Sequence, residues 1–170
     1  MERRLTPDDR ILLRKLLERA VELERAARRF YEEQAVRRTG LSSIFRVFAA
    51  AKSRNLELLE TALRRVDRTE VRLSEESRRA LEGYLATVRR VDAWGLISSL
   101  EGAVKPETAL NVILRGERRA LSFYQKLYSL VPRDLKPLIQ GILNKQYESL
   151  ERAREIMLRQ SGWLQPANHV

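Results

Sequence analysis

Apolar residues recur at three- and four-residue intervals along almost the whole chain, and only seven glycines and five prolines interrupt them in 170 residues. Such a pattern puts one apolar stripe on each of several helices and leaves no run with the two-residue alternation of a strand. The chain is therefore expected to be all-α. Thr6 suits an N-cap, with Pro7 at the first helical position and Asp8 and Asp9 where carboxylates suit the helix dipole. A first helix then runs to about Arg38, Thr39-Gly40 breaks it, and Ser42 or Ser43 caps a second helix to about Val66. Residues 7 to 66 thus read as a helical hairpin.

The stretch from Asp67 to Lys105 reads as a crossover, with a shorter helix from about Ser74 to Arg90, then Trp94-Gly95 and a short helical piece. Pro106 opens a third long helix to about Leu130, and Val131-Pro132-Arg133-Asp134 makes a turn. Asp134 is placed to cap a fourth helix to about Arg159. Residues 1 to 160 are read as one domain, and the aperiodic tail from 161 to 170 as flexible.

Composition removes several chemistries. With no cysteine there are no disulfides or thiolate metal sites, and with His169 as the only histidine a Ser-His-Asp triad, a histidine zinc site or a core haem ligand is effectively excluded. No glycine-rich phosphate loop is present, since Gly40 and Gly162 stand in isolated turns. No segment has the roughly 18 apolar residues of a membrane span, and the start lacks a signal-peptide core, so a cytoplasmic protein is expected.

The formal net charge is +10, with 16 basic against 10 acidic residues in 1 to 66, a balanced crossover, and 10 against 6 from 106 onward. That favours an acidic protein, nucleic acid or an anionic membrane surface as partner. Six arginine pairs, at 28-29, 37-38, 64-65, 78-79, 89-90 and 118-119, sit on several helices. Their simplest reading is solvated faces with glutamates at helical spacing, such as Glu18 and Glu22 ahead of Arg25 and Arg29. Few aromatic residues interleave with them as stacking platforms, which argues against specific nucleic-acid recognition.

The most specific signal is an internal repeat. The first helix contains Glu24-Arg-Ala-Ala27-Arg-Arg-Phe30-Tyr31 and the third contains Glu117-Arg-Arg-Ala120-Leu-Ser-Phe123-Tyr124. Each glutamate lies inside the apolar stripe of its helix, where a carboxylate is costly unless paired, protonated or bound to metal.

Two Glu-x-x-Ala-x-x-Phe-Tyr helices, each heading a hairpin and separated by a crossover, resemble the rubrerythrin-like branch of the ferritin-like superfamily over about residues 10 to 160. The resemblance implies a ferritin-like four-helix bundle, two helical hairpins joined by a crossover carrying an extra helix. In that family a core di-iron or di-manganese centre takes one Glu from each of two helices and a Glu-x-x-His from each of the other two. Glu24 and Glu117 match the first pair and inherit the ligand role as vestigial candidates. In the second helix Lys52 stands at the family's glutamate and Asn55 at its histidine. In the fourth, the matching pair is Leu143 with Gln146, Asn144 with Tyr147, or Lys145 with Glu148, and none is Glu-x-x-His.

The dimetal centre is therefore expected to be lost, leaving no cofactor, with Lys52 salt-bridged to one or both glutamates and Asn55 adding amide hydrogen bonds. Tyr31 and Tyr124 are expected to pack with their hydroxyls on carboxylates, the alternative being a radical or proton carrier in a metal enzyme. Gln146 and Tyr147 are read as polar groups lining the core. Trp94 and Trp163 are read as apolar anchors and Met157 as a core filler.

Three functions remain open at this point. The first is an interaction or scaffold protein, not an enzyme, acting as a homodimer. The second is a dimetal oxidoreductase holding iron or manganese with Glu24, Glu117 and extra carboxylates such as Glu57, Glu148 or Glu151. Against it, Glu57 lies about 200° round the helix from Asn55 and should point outward. The third is a basic adaptor for nucleic acid or anionic membrane.

Overall fold

A computed structural model of the chain describes residues 7–87, 93–101 and 105–160, and these form helices and turns without a strand. Four long helices carry the core: α1 (Pro7–Arg37), α2 (Ser42–Val66), α5 (Pro106–Leu130) and α6 (Lys136–Gln160). Between them, the crossover contributes α3 (Glu75–Thr87) and the one-and-a-half-turn α4 (Leu96–Glu101). The chain is all-α. None of the described helices is long and apolar enough to cross a membrane.

Helix α1 lies along α2, α2 along α6 and α6 along α5, while α3 packs back on α1 and α4 on α5. Side-chain pairs give the directions. Arg14 meets Asp67 and Arg25 meets Glu60, so α2 runs antiparallel to α1. On α5, Tyr124 reaches Glu24 while Glu117 reaches Tyr31, so α5 is antiparallel to α1 as well.

Two apolar clusters fill the interior. One gathers Leu13, Leu17, Leu59, Val66, Leu127 and Ile142 at the end near the α5–α6 turn. The other gathers Tyr31, Phe45, Phe48, Leu96, Ile113 and Ala153 at the opposite end. Glu24, Lys52, Asn55, Glu117 and Gln146 lie on the four long helices between the residues of these clusters, so the core is apolar, polar, then apolar along its length.

Helix ends depart from expectation in small ways. The first hairpin turns through a 3-10 segment, Thr39–Leu41, and α2 begins with no side-chain cap from Ser42 or Ser43. The turn's own carbonyls take the leading amides, and buried Leu41 anchors it. Asp134 does not cap α6. That helix starts at Lys136, after backbone turns in which Leu135 donates to Pro132 and Lys136 to Arg133. Ser74 does cap α3, accepting from the Ser77 amide at 3.0 Å. Thr6, Arg89, Arg90, Trp163, His169 and the tail from 161 to 170 lie outside the described residues.

Asp9 is more than a dipole partner. It is buried, and it ties the crossover down by accepting from the Leu73 amide at 3.2 Å and from Arg78 at 2.8 Å.

The α4 region packs unusually close to α5. A Cβ on Gly116 would stand 2.4 Å from a Leu96 methyl, so only glycine admits that side chain. Just before α4, Trp94 adopts φ 63° and Gly95 φ 76°. A left-handed conformation costs a bulky residue about 1–3 kcal/mol. At Gly95 a Cβ would also fall 2.4 Å from an Arg119 Nη. Gly95→Ala is expected to lower stability by about 1–2 kcal/mol, and an unchanged thermal midpoint would show that the turn opens freely.

Candidate functional site

The internal repeat comes together as a closed polar cluster. Seven residues separate glutamate from tyrosine in each motif, two helical turns or roughly 10 Å of rise. Because α1 and α5 run antiparallel, each tyrosine falls level with the other motif's glutamate. Tyr31 accordingly donates to Glu117 Oε1 at 2.5 Å, and Tyr124 donates to Glu24 Oε1 at 2.8 Å.

Lys52 of α2 enters between the two carboxylates. Its Nζ lies 2.7 Å from Glu117 Oε2, 3.3 Å from Gln146 Oε1 and 3.5 Å from Glu24 Oε2, giving the three ammonium protons three acceptors. Gln146 of α6 accepts from Lys52 and from Asn55 Nδ2 at 3.1 Å, and donates through Nε2 to Glu117 Oε2 at 2.9 Å. Asn55 Nδ2 also points at Glu24 Oε2, at 3.3 Å. All of these side chains, both tyrosines included, are 0% exposed.

The two carboxylates are not held equally. Glu117 has short contacts from Tyr31, Lys52 and Gln146, whereas Glu24 has one short contact, from Tyr124, and two long ones. Burial raises the Glu24 pKa above its ordinary value, only partly offset by Lys52, and the nearby Glu117 charge adds to the rise. For Lys52, desolvation pulls the pKa down, but Glu117 and Glu24 outweigh it and leave the value above ordinary. Burial lifts both tyrosine hydroxyls well above their ordinary range, with Glu117 adding to it at Tyr31 and Glu24 at Tyr124. Both therefore stay protonated and donate.

A pH signature follows. Because the folded chain holds the Glu24 proton more tightly than the unfolded chain, this group's contribution is fully present below about pH 4.5 and is lost as pH rises through the raised folded value. Glu24→Gln should remove that loss, so the stability of the variant relative to the parent rises with pH over this window, by at most about 1.4 kcal/mol per unit. Urea midpoints at pH 4.5 and 7 read this directly. A difference that does not change with pH would place the proton elsewhere.

As a donor set the cluster does not fit a dimetal centre. An ammonium occupies the space between the only two glutamates buried among the described residues, and the remaining partners are neutral amides, weak ligands for iron or manganese. Glu57, Glu148 and Glu151 are all exposed, with Glu57 paired to Arg54 and Glu148 to Lys145 on the outer surface. Among the described residues no three His, Asp or Glu side chains converge.

The structure brings Glu24, Lys52, Asn55, Glu117, Tyr31 and Tyr124 together in one buried group. On α6, Gln146 takes the inward position, and Leu143 one turn before it is buried as well. Tyr147 is a correction. It is 48% exposed and accepts from Gln125 outside the core, because one residue beyond Gln146 is about 100° further round the helix. Glu18 and Glu22 pair with Arg14 and Arg19 rather than with Arg25 and Arg29. Met157 is only half-buried, at the margin of the second apolar cluster.

None of the family models, curated proteins and solved structures compared with the chain matches it.

Proposed function

We propose that this chain is a divergent ferritin-like four-helix bundle of the rubrerythrin type in which an internal lysine has taken over the charge-balancing role of the metals, and that it acts by binding other molecules, as an interaction or scaffold protein, rather than by catalysis. The observation that carries this reading is the Lys52 ammonium seated 2.7 Å from Glu117 and 3.5 Å from Glu24. A fixed cation there repels a second cation, and its three protons are already matched to acceptors. The repeated Glu-x-x-Ala-x-x-Phe-Tyr helices, crossed so that each tyrosine serves the other's glutamate, support the family assignment.

The cluster is closed on every side. Four surface cavities, around Arg118, Arg28, Phe30 and Leu110, are lined by other residues, so no substrate path reaches the carboxylates through them. What the cluster does supply is register, since each of the four long helices contributes a polar group that matches only when the helices are aligned.

Elemental mass spectrometry on protein purified without chelator, from cells supplied with iron and manganese, tests the reading. Less than about one tenth of a metal ion per chain is expected. About two per chain, the family's complement, would overturn it and restore a dimetal oxidoreductase, to be probed next by Glu24→Ala and Glu117→Ala.

A further inference from the structure

On the outer face of α5 the fold assembles a groove of about 690 Å³ from three separate stretches of chain. Arg115, Arg118 and Arg119 stand at helical spacing along one wall. Tyr84 of α3, Trp94 of the turn before α4 and Phe123 of α5 supply the aromatic part. Among the described residues that line it, none is acidic.

Some of the chain's arginines are compensated and others, such as exposed Arg29, Arg46 and Arg133, have no ion pair among the described residues. Arg28, Arg54, Arg78 and Arg79 each engage a carboxylate. Arg115 and Arg118 are exposed and make no ion pair or side-chain hydrogen bond among the described residues, and Arg119 donates only to the Trp94 carbonyl, at 3.4 Å. Three uncompensated guanidiniums within two helical turns repel one another, a cost that a bound polyanion relieves.

Trp94 points the same way through independent features. It is held in a left-handed backbone conformation, φ 63° and ψ 24°, that its side chain disfavours. Its indole Nε1 is buried with no hydrogen-bond partner among the described residues. Its ring packs on Phe123 with centroids 5.1 Å apart, and Tyr84 meets the same Phe123 edge-on at 5.9 Å, making a continuous aromatic wall beside the guanidiniums. Backbone strain and an orphaned donor concentrate where a surface is built for a ligand rather than for stability alone.

We infer that this groove binds a nucleotide, with phosphates on Arg115, Arg118 and Arg119 and the base against the aromatic wall. Guanidiniums grip phosphate oxygens in pairs, and aromatic rings accept any base face, so the combination selects phosphate joined to a planar ring over either alone. The volume lies within the range of small-ligand sites. The nucleotide is either free or one unit of a single strand, and both present the same chemistry. This assignment is independent of the core cluster, since none of the groove's residues belongs to it.

Isothermal titration of the full chain at low salt with ADP, inorganic pyrophosphate, adenosine, a ten-residue oligothymidylate and a ten-residue polyglutamate provides the test. ADP is expected to bind at least about tenfold more tightly than pyrophosphate or adenosine, a margin of one good charge-assisted or stacking contact. Oligothymidylate binding more tightly than ADP would identify a strand as the source, and weaker binding a free nucleotide; both support the inference. Arg115→Ala and Arg118→Ala, on exposed positions that leave the core intact, should each weaken ADP by about tenfold. Arg133→Ala, an exposed arginine in the α5–α6 turn, should change it less than about twofold. Equal affinity for ADP and pyrophosphate, preference for polyglutamate, equal loss in Arg133→Ala, or no ADP binding would each overturn it.

Discussion

Lys52→Met is expected to lower folding stability at neutral pH by about 3–5 kcal/mol, the range for breaking a buried ion pair by removing one partner. Methionine fills nearly the same space, so packing contributes little of that loss. The loss comes from what is left behind. Glu117 would forfeit its 2.7 Å contact with the ammonium, Glu24 its one cationic partner among the described residues, and Gln146 one of its two donors. Two carboxylates would then share a space with 0% exposure and no compensating charge. For a chain of 170 residues the thermal midpoint should fall on the order of 10 °C.

The loss should shrink on acidification, because protonating the carboxylates removes the unbalanced charge. Parent and variant should therefore converge as pH drops toward 4. Chemical denaturation at pH 7 and pH 4.5 checks both halves. An equally stable or more stable Lys52→Met protein at pH 7 would mean that the ammonium does not balance the glutamates, and the cation-replacement reading would go with it.

Which parts of this arrangement were legible in the sequence follows from how local each signal is. Helix positions were readable because glycine, proline and the three-and-four spacing act over a single turn. Glu24 and Glu117 were readable because a carboxylate on an apolar stripe, repeated with the same neighbours, is conspicuous without any structure. Lys52 and Asn55 drew attention through the family resemblance, which puts them where that family has a glutamate and a histidine. Gln146 could not be chosen among three registers, since α6 carries no copy of the motif and adjacent polar residues, Asn144 to Glu148, offer the core several candidates.

Asp9 shows the same limit from another side. In the sequence it is one of two acids opening a helix, and only the fold shows it spent on Leu73 and Arg78, more than 60 residues away. The groove beside α5 was invisible for the same reason. Its arginines are consecutive turns of one helix, but Tyr84 and Trp94 come from the crossover, and sequence proximity gives no hint that they join Phe123 in one wall. Few aromatic residues neighbour the arginine pairs in sequence, whereas Tyr84, Trp94 and Phe123 lie beside Arg118 and Arg119 in space.

Removing one member of the core cluster and removing all of it should have opposite consequences. A variant with Glu24→Met, Tyr31→Phe, Lys52→Met, Asn55→Leu, Glu117→Met, Tyr124→Phe and Gln146→Met keeps the volumes close to the original and leaves no buried polar side chain in the middle layer. Replacing a complete buried ion network by apolar residues is commonly neutral or stabilising by about 1–4 kcal/mol. This variant is thus expected to be at least as stable as the parent, although it contains the substitution that alone is most damaging. The same Lys52→Met change reverses its apparent effect because the carboxylates it would strand are gone. Its cost should appear instead as lost uniqueness. With no hydrogen bonds linking Tyr31 to Glu117 and Tyr124 to Glu24, α1 and α5 can slide by a turn against an all-apolar surface, and the sharp native packing becomes degenerate. Broadened amide resonances together with an undiminished urea midpoint would be the signature. A loss of more than about 3 kcal/mol would show instead that the network contributes net stability beyond what its burial costs, and that Lys52 was retained for strength rather than for register.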